Sequence, residues 1–197
     1  YFSGYTIAAD GPSVLRRGTL RGGGTWSGNG TVTCTNVFMF QSNVLMEAPF
    51  DIQPGAQLII NGTPGPVDAT LELNHSFRNR GEIQLLGAAA GGDAAGIELT
   101  AGLFTNAPAG SLVFAEGSAS GEPWLDAHLL NRGTVEVHVD VSLAETGRQY
   151  VNTGTFSVDG GDLFKCDSSG QLFVQRGGTI EVGAGGTFEL EGGVSGG

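Results

Sequence analysis

Apolar side chains recur at every second position through most of this chain, in short runs that follow a glycine. The segment "LLNRGTVEVHVDVSL" (129–143) shows the pattern: Val135, Val137, Val139 and Val141 alternate with Glu136, His138 and Asp140. Alternation with period two predicts a strand with one buried face. The unit repeats. "FRNRGEIQLLG" (77–87) returns as "LLNRGTVEVHV" (129–139) and "YVNTGTFSVDG" (150–160), with looser copies beginning at positions 26, 51, 104 and 173. Gly30, Gly55, Gly81, Gly110, Gly133, Gly154 and Gly178 anchor the copies, at a spacing that is regular but elastic. Further alternating runs, "ATLEL" (69–73), "GIELT" (96–100) and "GQLFV" (170–174), lie between them. No window carries an apolar stripe at helical spacing.

Strands repeating every ~25 residues without helices predict an all-β fold, a right-handed parallel β-helix (β-solenoid) of about seven coils. Residues 1–17 read as an N-terminal cap or lead-in, and 18–197 as the repeat domain. Each coil would stack ~4.8 Å above the last, with inward residues forming continuous apolar columns. Asn79, Asn131 and Asn152, just before Gly81, Gly133 and Gly154, read as structural turn residues. Asn tolerates left-handed corners, and stacked amides can hydrogen-bond along the axis. The fixed leucine consensus of leucine-rich repeats is absent, and two-residue hairpin turns are too few for a sandwich or propeller.

Composition narrows the partners. Glycine reaches 35 of 197 residues, net charge is −11, and Lys165 is the only lysine. Nucleic acid and anionic membrane both reward dense Lys and Arg, so neither is expected. No stretch approaches the roughly 20 apolar residues of a membrane span. Cys34 and Cys166 fall about five coils apart, beyond disulfide reach, and read as small buried hydrophobes. Asn29, Asn61 and Asn74 head N-x-S/T sequons, although Asn-Gly-Thr is also ordinary turn chemistry.

The "FxNxGxIxL"-type units resemble the parallel β-helices of bacterial autotransporter passengers and filamentous-haemagglutinin-like surface proteins. The resemblance is one of repeat style, over residues ~18 to 190. It implies an extracellular or cell-surface rod used for adhesion, display or assembly, partnered by copies of itself or neighbouring repeats end to end, and by surface glycans. The lack of a terminal capping segment after Leu190 points the same way.

Candidate chemistry gathers in two places. In the repeat register His138 and Asp159 are lateral neighbours on adjacent coils, with Glu136 and Asp140 alongside. A His among carboxylates is general acid–base equipment, and paired acids serve glycoside hydrolysis. The motif sets of β-helix carbohydrate enzymes are absent, however, and an exposed strand face must carry polar residues in any case. A solvated face, and no catalysis, is the expectation; a carbohydrate-active enzyme or sugar-binding module on this acidic face is the alternative, and a trimeric phage tail-fibre segment a third. Second, Asp159, Asp162 and Asp167 sit in a Gly-Asp loop that offers about half the oxygens calcium requires, so calcium is the one conceivable cofactor. His75 and His128 have no partner at zinc-ligand spacing. Trp26 and Trp124 read as corner packing, though Trp124 lies near Glu122 and Asp126.

Overall fold

The chain is described by a computed structural model over residues 5–62, 69–87, 95–117, 121–143, 146–166, 170–191 and 193–196. It forms a parallel β-solenoid. The described strand pairs run parallel, and the strands fall into sheets of six, nine, eight and three. One central coil shows the plan: Trp124–Asp126, Leu129–Asn131 and Thr134–Val137 contribute one strand each to three faces. Sheet A runs from Tyr5–Ala8 to Trp124–Asp126. Sheet B runs from Ser13–Leu15 to Gly193–Gly196, and sheet C from Gly18–Leu20 to Thr179–Val182. Sheet D (Val141–Leu143, Leu163–Cys166, Thr187–Leu190) takes the place of sheet A in the later coils.

The alternation explains the core. On sheet C two inward columns run up the axis, Leu58–Ile83–Leu112–Val135–Phe156 and Phe40–Ile60–Leu85–Phe114–Val137–Val158. All are at most 2% exposed. Each such side chain contributes roughly 1.5–3 kcal/mol by leaving water. Sheet B adds a stack of aromatic rings, Phe50–Phe77–Phe104, with centroids 5.6 and 5.1 Å apart.

The other inward column of sheet B changes character along the molecule. It reads Leu15, Cys34, Ile52, then Asn79, Asn106, Asn131, Asn152 and Gln175. The four asparagines are 0–1% exposed. Each Nδ2 donates to the side-chain oxygen of the next residue in the column, at 2.9, 2.9, 2.8 and 3.0 Å. The second N–H of each amide reaches a backbone carbonyl of the following coil, Ser111, Thr134, Thr155 or Thr179, at 2.8–3.2 Å. A buried amide demands such complete pairing.

The expected stacking of Asn79, Asn131 and Asn152 is therefore present. Their left-handed corner role is not, since none of the described non-glycine residues has positive φ. Gly133 and Gly154 likewise serve close approach rather than φ. A Cβ on either would lie 2.1 Å from the carbonyl oxygen of the preceding anchor, Gly110 or Gly133.

Tyr5–Ala8 and Ser13–Leu15, inside the stretch read as a cap or lead-in, pair in register with Gly24–Ser27 and Val32–Cys34. The Gly30 copy also belongs to a different face: Val32 and Cys34 lie on sheet B, so Cys34 shares a column with Asn79 rather than with Leu85. The cause is coil length. Leu15, Cys34 and Ile52 are successive column members, and the steps between them are much shorter than the step from Ile52 to Asn79. A uniform period slips across such coils.

Candidate functional site

The segment 129–143 folds as three strands on three faces, not one. Sheet C ends at Val137, and the chain turns through His138–Asp140 with Val139 buried inside the corner. Glu136 and His138 stand outward, and the next coil continues the register. Glu136 lies opposite Ser157, and His138 beside Asp159, as the repeat predicts. His138 Nδ1 is 2.5 Å from Asp159 Oδ2, and its Nε2 is 3.3 Å from Glu136 Oε2. The Asp159 hydrogen bond, opposed by partial burial and helped by Glu136, raises the His138 pKa above its ordinary value.

Asp140 does not join this row. Its Oδ1 accepts the Leu163 backbone N–H at 2.9 Å, tying its corner to the coil above. Asp162 stands near it, and burial, then the charges of Asp140 and Asp159, push the Asp162 carboxyl up. Among the described residues no group of three or more His, Cys, Asp or Glu is arranged to hold a metal. Asp167 lies outside the described residues, so the calcium set is only partly in view.

Chemically, both ring nitrogens of His138 are held by carboxylates. A general base must present a free nitrogen to its substrate, and this imidazole presents none without giving up a partner. All three side chains are well exposed, at 38% for His138, 37% for Glu136 and 53% for Asp159.

A second acidic row escaped the sequence reading. Glu72, Glu98 and Asp126 align on the outer face of sheet A on successive coils. Like charges directly opposite destabilise a sheet, and Arg148 relieves this one by pairing with Asp126. Trp124 lies on the same face rather than at a corner, with its indole flat over Gly96, where a Cβ would meet ring atoms at 2.0 Å. Glu72 and Glu98 also border a shallow depression with Thr25, Asn43, Leu45 and Thr70. The signal was present in "TLEL", "GIEL" and "WLDA", which share an acid between apolar residues, but the variable linkers hid the alignment.

The remaining candidates separate. Trp26 is buried at 7% and points inward. His75 Nδ1 contacts Asn74 Oδ1 at 3.0 Å, and burial lowers its pKa. His128 Nδ1 accepts the Gln149 N–H at 3.1 Å. Cys34 and Cys166 are buried, and neither forms a disulfide. Burial raises the Cys34 pKa, leaving a protonated thiol that donates to the Asn36 carbonyl at 3.3 Å. Asn29 and Asn74 are exposed, and the third residue of the Asn61 sequon lies outside the described residues.

Comparison with protein-family models, with curated proteins and with solved structures returned no match. The likeness to autotransporter and haemagglutinin-like proteins thus rests on repeat style alone.

Proposed function

We propose that this chain is a structural and adhesive β-solenoid module of an extracellular protein, working within a longer surface protein or an end-to-end filament. One observation carries the reading: buried polar chemistry is spent on joining coils. Four asparagines and a glutamine link successive coils, each Asn amide reaching the next side chain and a backbone carbonyl of the following coil. Such a ladder stiffens a rod and fixes its register. Parallel coils also present the same ladder to whatever stacks on them, which suits further repeats or copies as partners. The acidic, lysine-poor composition accords with an extracellular setting. The test is antibody labelling of intact and permeabilised source cells, with adhesion of the purified chain to glycan-coated surfaces. Labelling of intact cells together with adhesion is the expected result. Labelling confined to permeabilised cells overturns the extracellular role.

A second reading, a sugar-binding or carbohydrate-active module, draws on the Glu72–Glu98–Asp126 row beside Trp124. Release of reducing ends from uronic-acid polymers, with or without calcium, would establish it. Loss of that release in Glu98→Gln would place it on sheet A, and loss in Glu136→Gln on sheet C.

A further inference from the structure

The chain carries 9 basic residues against 20 acidic ones, and the bases are not scattered. Where each coil leaves sheet B, its first corner residue bonds its backbone N–H to the coil below. Thr35 reaches Leu15, Gln53 reaches Cys34, and Arg80 reaches Ile52. Ala107, Arg132, Thr153 and Arg176 continue to Asn79, Asn106, Asn131 and Asn152. With Arg16, which follows Leu15, these residues form one column along an edge of the prism. Four of its eight positions are arginine. Arg17 adjoins it in the first corner, and Arg78 stands on the outer face of sheet B just before it. Two-thirds of the basic residues therefore line a single edge of an acidic molecule.

Counter-charge is sparse there. Asp51 is the one described acid on the outer face of sheet B or in this corner column. It is held by Arg80, Nη2 to Oδ2 at 2.6 Å and Nε to Oδ1 at 3.2 Å. Glu82, at the head of sheet C, is occupied by Gln57 and Gln84. Arg16, Arg17, Arg78, Arg132 and Arg176 are exposed and have no ion-pair partner among the described residues.

We propose that this arginine edge binds a polysaccharide bearing carboxylates at intervals, a polyuronate lying along the solenoid axis. This names a ligand class for the adhesive reading and rests on it. Arg80, Arg132 and Arg176 occupy alternate coils, two rises or ~9.6 Å apart; Arg80 is held by Asp51, so Arg132 and Arg176 are the pair open to the polymer, with Arg78 on the adjoining face. Guanidinium is the cation that grips a carboxylate bidentately, and no lysine shares the edge. Thr153, Thr35 and Gln53 lie between the charges; their side-chain donors are bonded to Asn131 O, Leu15 O and Asp51, which leaves their oxygens to accept from sugar hydroxyls. Nucleic acid fits less well. Its charges are denser, at one per ~1.7 Å of duplex, the net charge of −11 repels it, and this edge lacks the outward aromatics on which single strands stack.

The test is titration of the intact chain with polygalacturonate oligomers at low and moderate salt. Partners for comparison are the triple variant Arg78→Gln/Arg132→Gln/Arg176→Gln and, as a control outside that column, Glu47→Gln, which is exposed. Binding by the parent, a loss of about tenfold or more in the triple variant and an unchanged thermal midpoint are expected; Glu47→Gln should bind like the parent. Equal binding by the triple variant, no binding by the parent, or tighter binding of oligo-dT or heparin than of polygalacturonate overturns the proposal. A failure here with intact-cell labelling and adhesion retained removes only the polyuronate, and leaves the adhesive module standing.

Discussion

The first coils and the later ones solve one packing problem in two ways. Up to Ile52 the coils are short, and the inward corner column of sheet B is Leu15, Cys34 and Ile52. From Asn79 onward the coils lengthen and the column becomes amides. In both regions something must meet the carbonyls of the corner. Among the later coils Asn79 Nδ2 reaches Ser111 O at 2.8 Å. In the early region the Cys34 thiol lies 3.8 Å from the equivalent carbonyl, Gln57 O, and closer, at 3.3 Å, to Asn36 O. The thiol is a weak donor with one proton, whereas the amide has two and also an acceptor. The amide column can therefore bond to itself as well as to the backbone. An apolar column tolerates almost any residue of suitable volume; an amide column specifies its neighbours.

That contrast should be largest in the ladder interior. Asn131→Ala removes the acceptor of Asn106 Nδ2 and the donor to Asn152 Oδ1. Each buried group left unpaired costs about 1–3 kcal/mol, so about 2–5 kcal/mol is expected. Cys34→Ala, lower in the same column, loses mainly apolar burial, about 1 kcal/mol. Urea unfolding of both variants measures the gap. Equal costs would mean that the Asn ladder adds nothing beyond filling space.

The boundary between the regions offers a finer test. Ile52 and Ile60 are both fully buried, but only Ile52 lies beneath Asn79. Ile52→Asn extends the ladder downward, with an amide positioned to meet Asn79, whereas Ile60→Asn buries an amide among Phe40 and Leu85. Ile52→Asn should be the milder change by about 1–3 kcal/mol. A reversed order in thermal or chemical denaturation would show that the column needs more than adjacency.

Individual glycines differ as well. A Cβ on Gly133 meets the Gly110 backbone oxygen at 2.1 Å, while one on Gly18 meets only a Phe38 ring, at 3.3 Å. Backbone cannot step aside as a ring can. Gly133→Ala should cost about 1–3 kcal/mol and Gly18→Ala about 0.5 kcal/mol or less. Similar midpoints for the two would show that the backbone at Gly133 yields as readily as the ring at Gly18.

Fold class was legible because alternation and anchoring glycines are local signals that every coil repeats. What escaped was set by turns. Asn106 belongs to the ladder, yet the loop Ala107–Gly110 moves its anchor glycine further along the chain, so the Asn-x-Gly spacing disappears. Asp140 was grouped with Glu136 because the corner turns about the buried Val139. A corner built on an inward residue preserves alternation, and period two cannot reveal it. His138 and Asp159 were paired correctly because both stand at the same offset from an anchor glycine and no insertion separates anchor from strand. Glu72, Glu98 and Asp126 fall beyond linkers of unequal length, where counting from an anchor fails. The arginine column was masked in the same way.

The smallest expected effect concerns two histidines that should titrate with opposite signs. His138, in the later coils, faces Asp159 and Glu136, with Asp140 and Asp162 nearby, and its folded pKa is raised. Protonation therefore favours the fold. The contribution is present below the ordinary value of 6.5 and is lost as pH rises through the raised value. His75, earlier in the chain, has its pKa lowered by burial. For it the neutral form favours the fold, so its contribution is present above 6.5 and is lost as pH falls through the lowered value. With more than a third of the His138 side chain in water, screening holds its part to about 0.5 kcal/mol. Thermal midpoints from pH 5 to 8 should show His138→Gln losing stability relative to the parent at the acid end only, and His75→Gln gaining there. If His138→Gln instead lost most stability at pH 8, the imidazole would be acting as a neutral hydrogen-bond partner, and the ion pair with Asp159 would not be what joins these two coils.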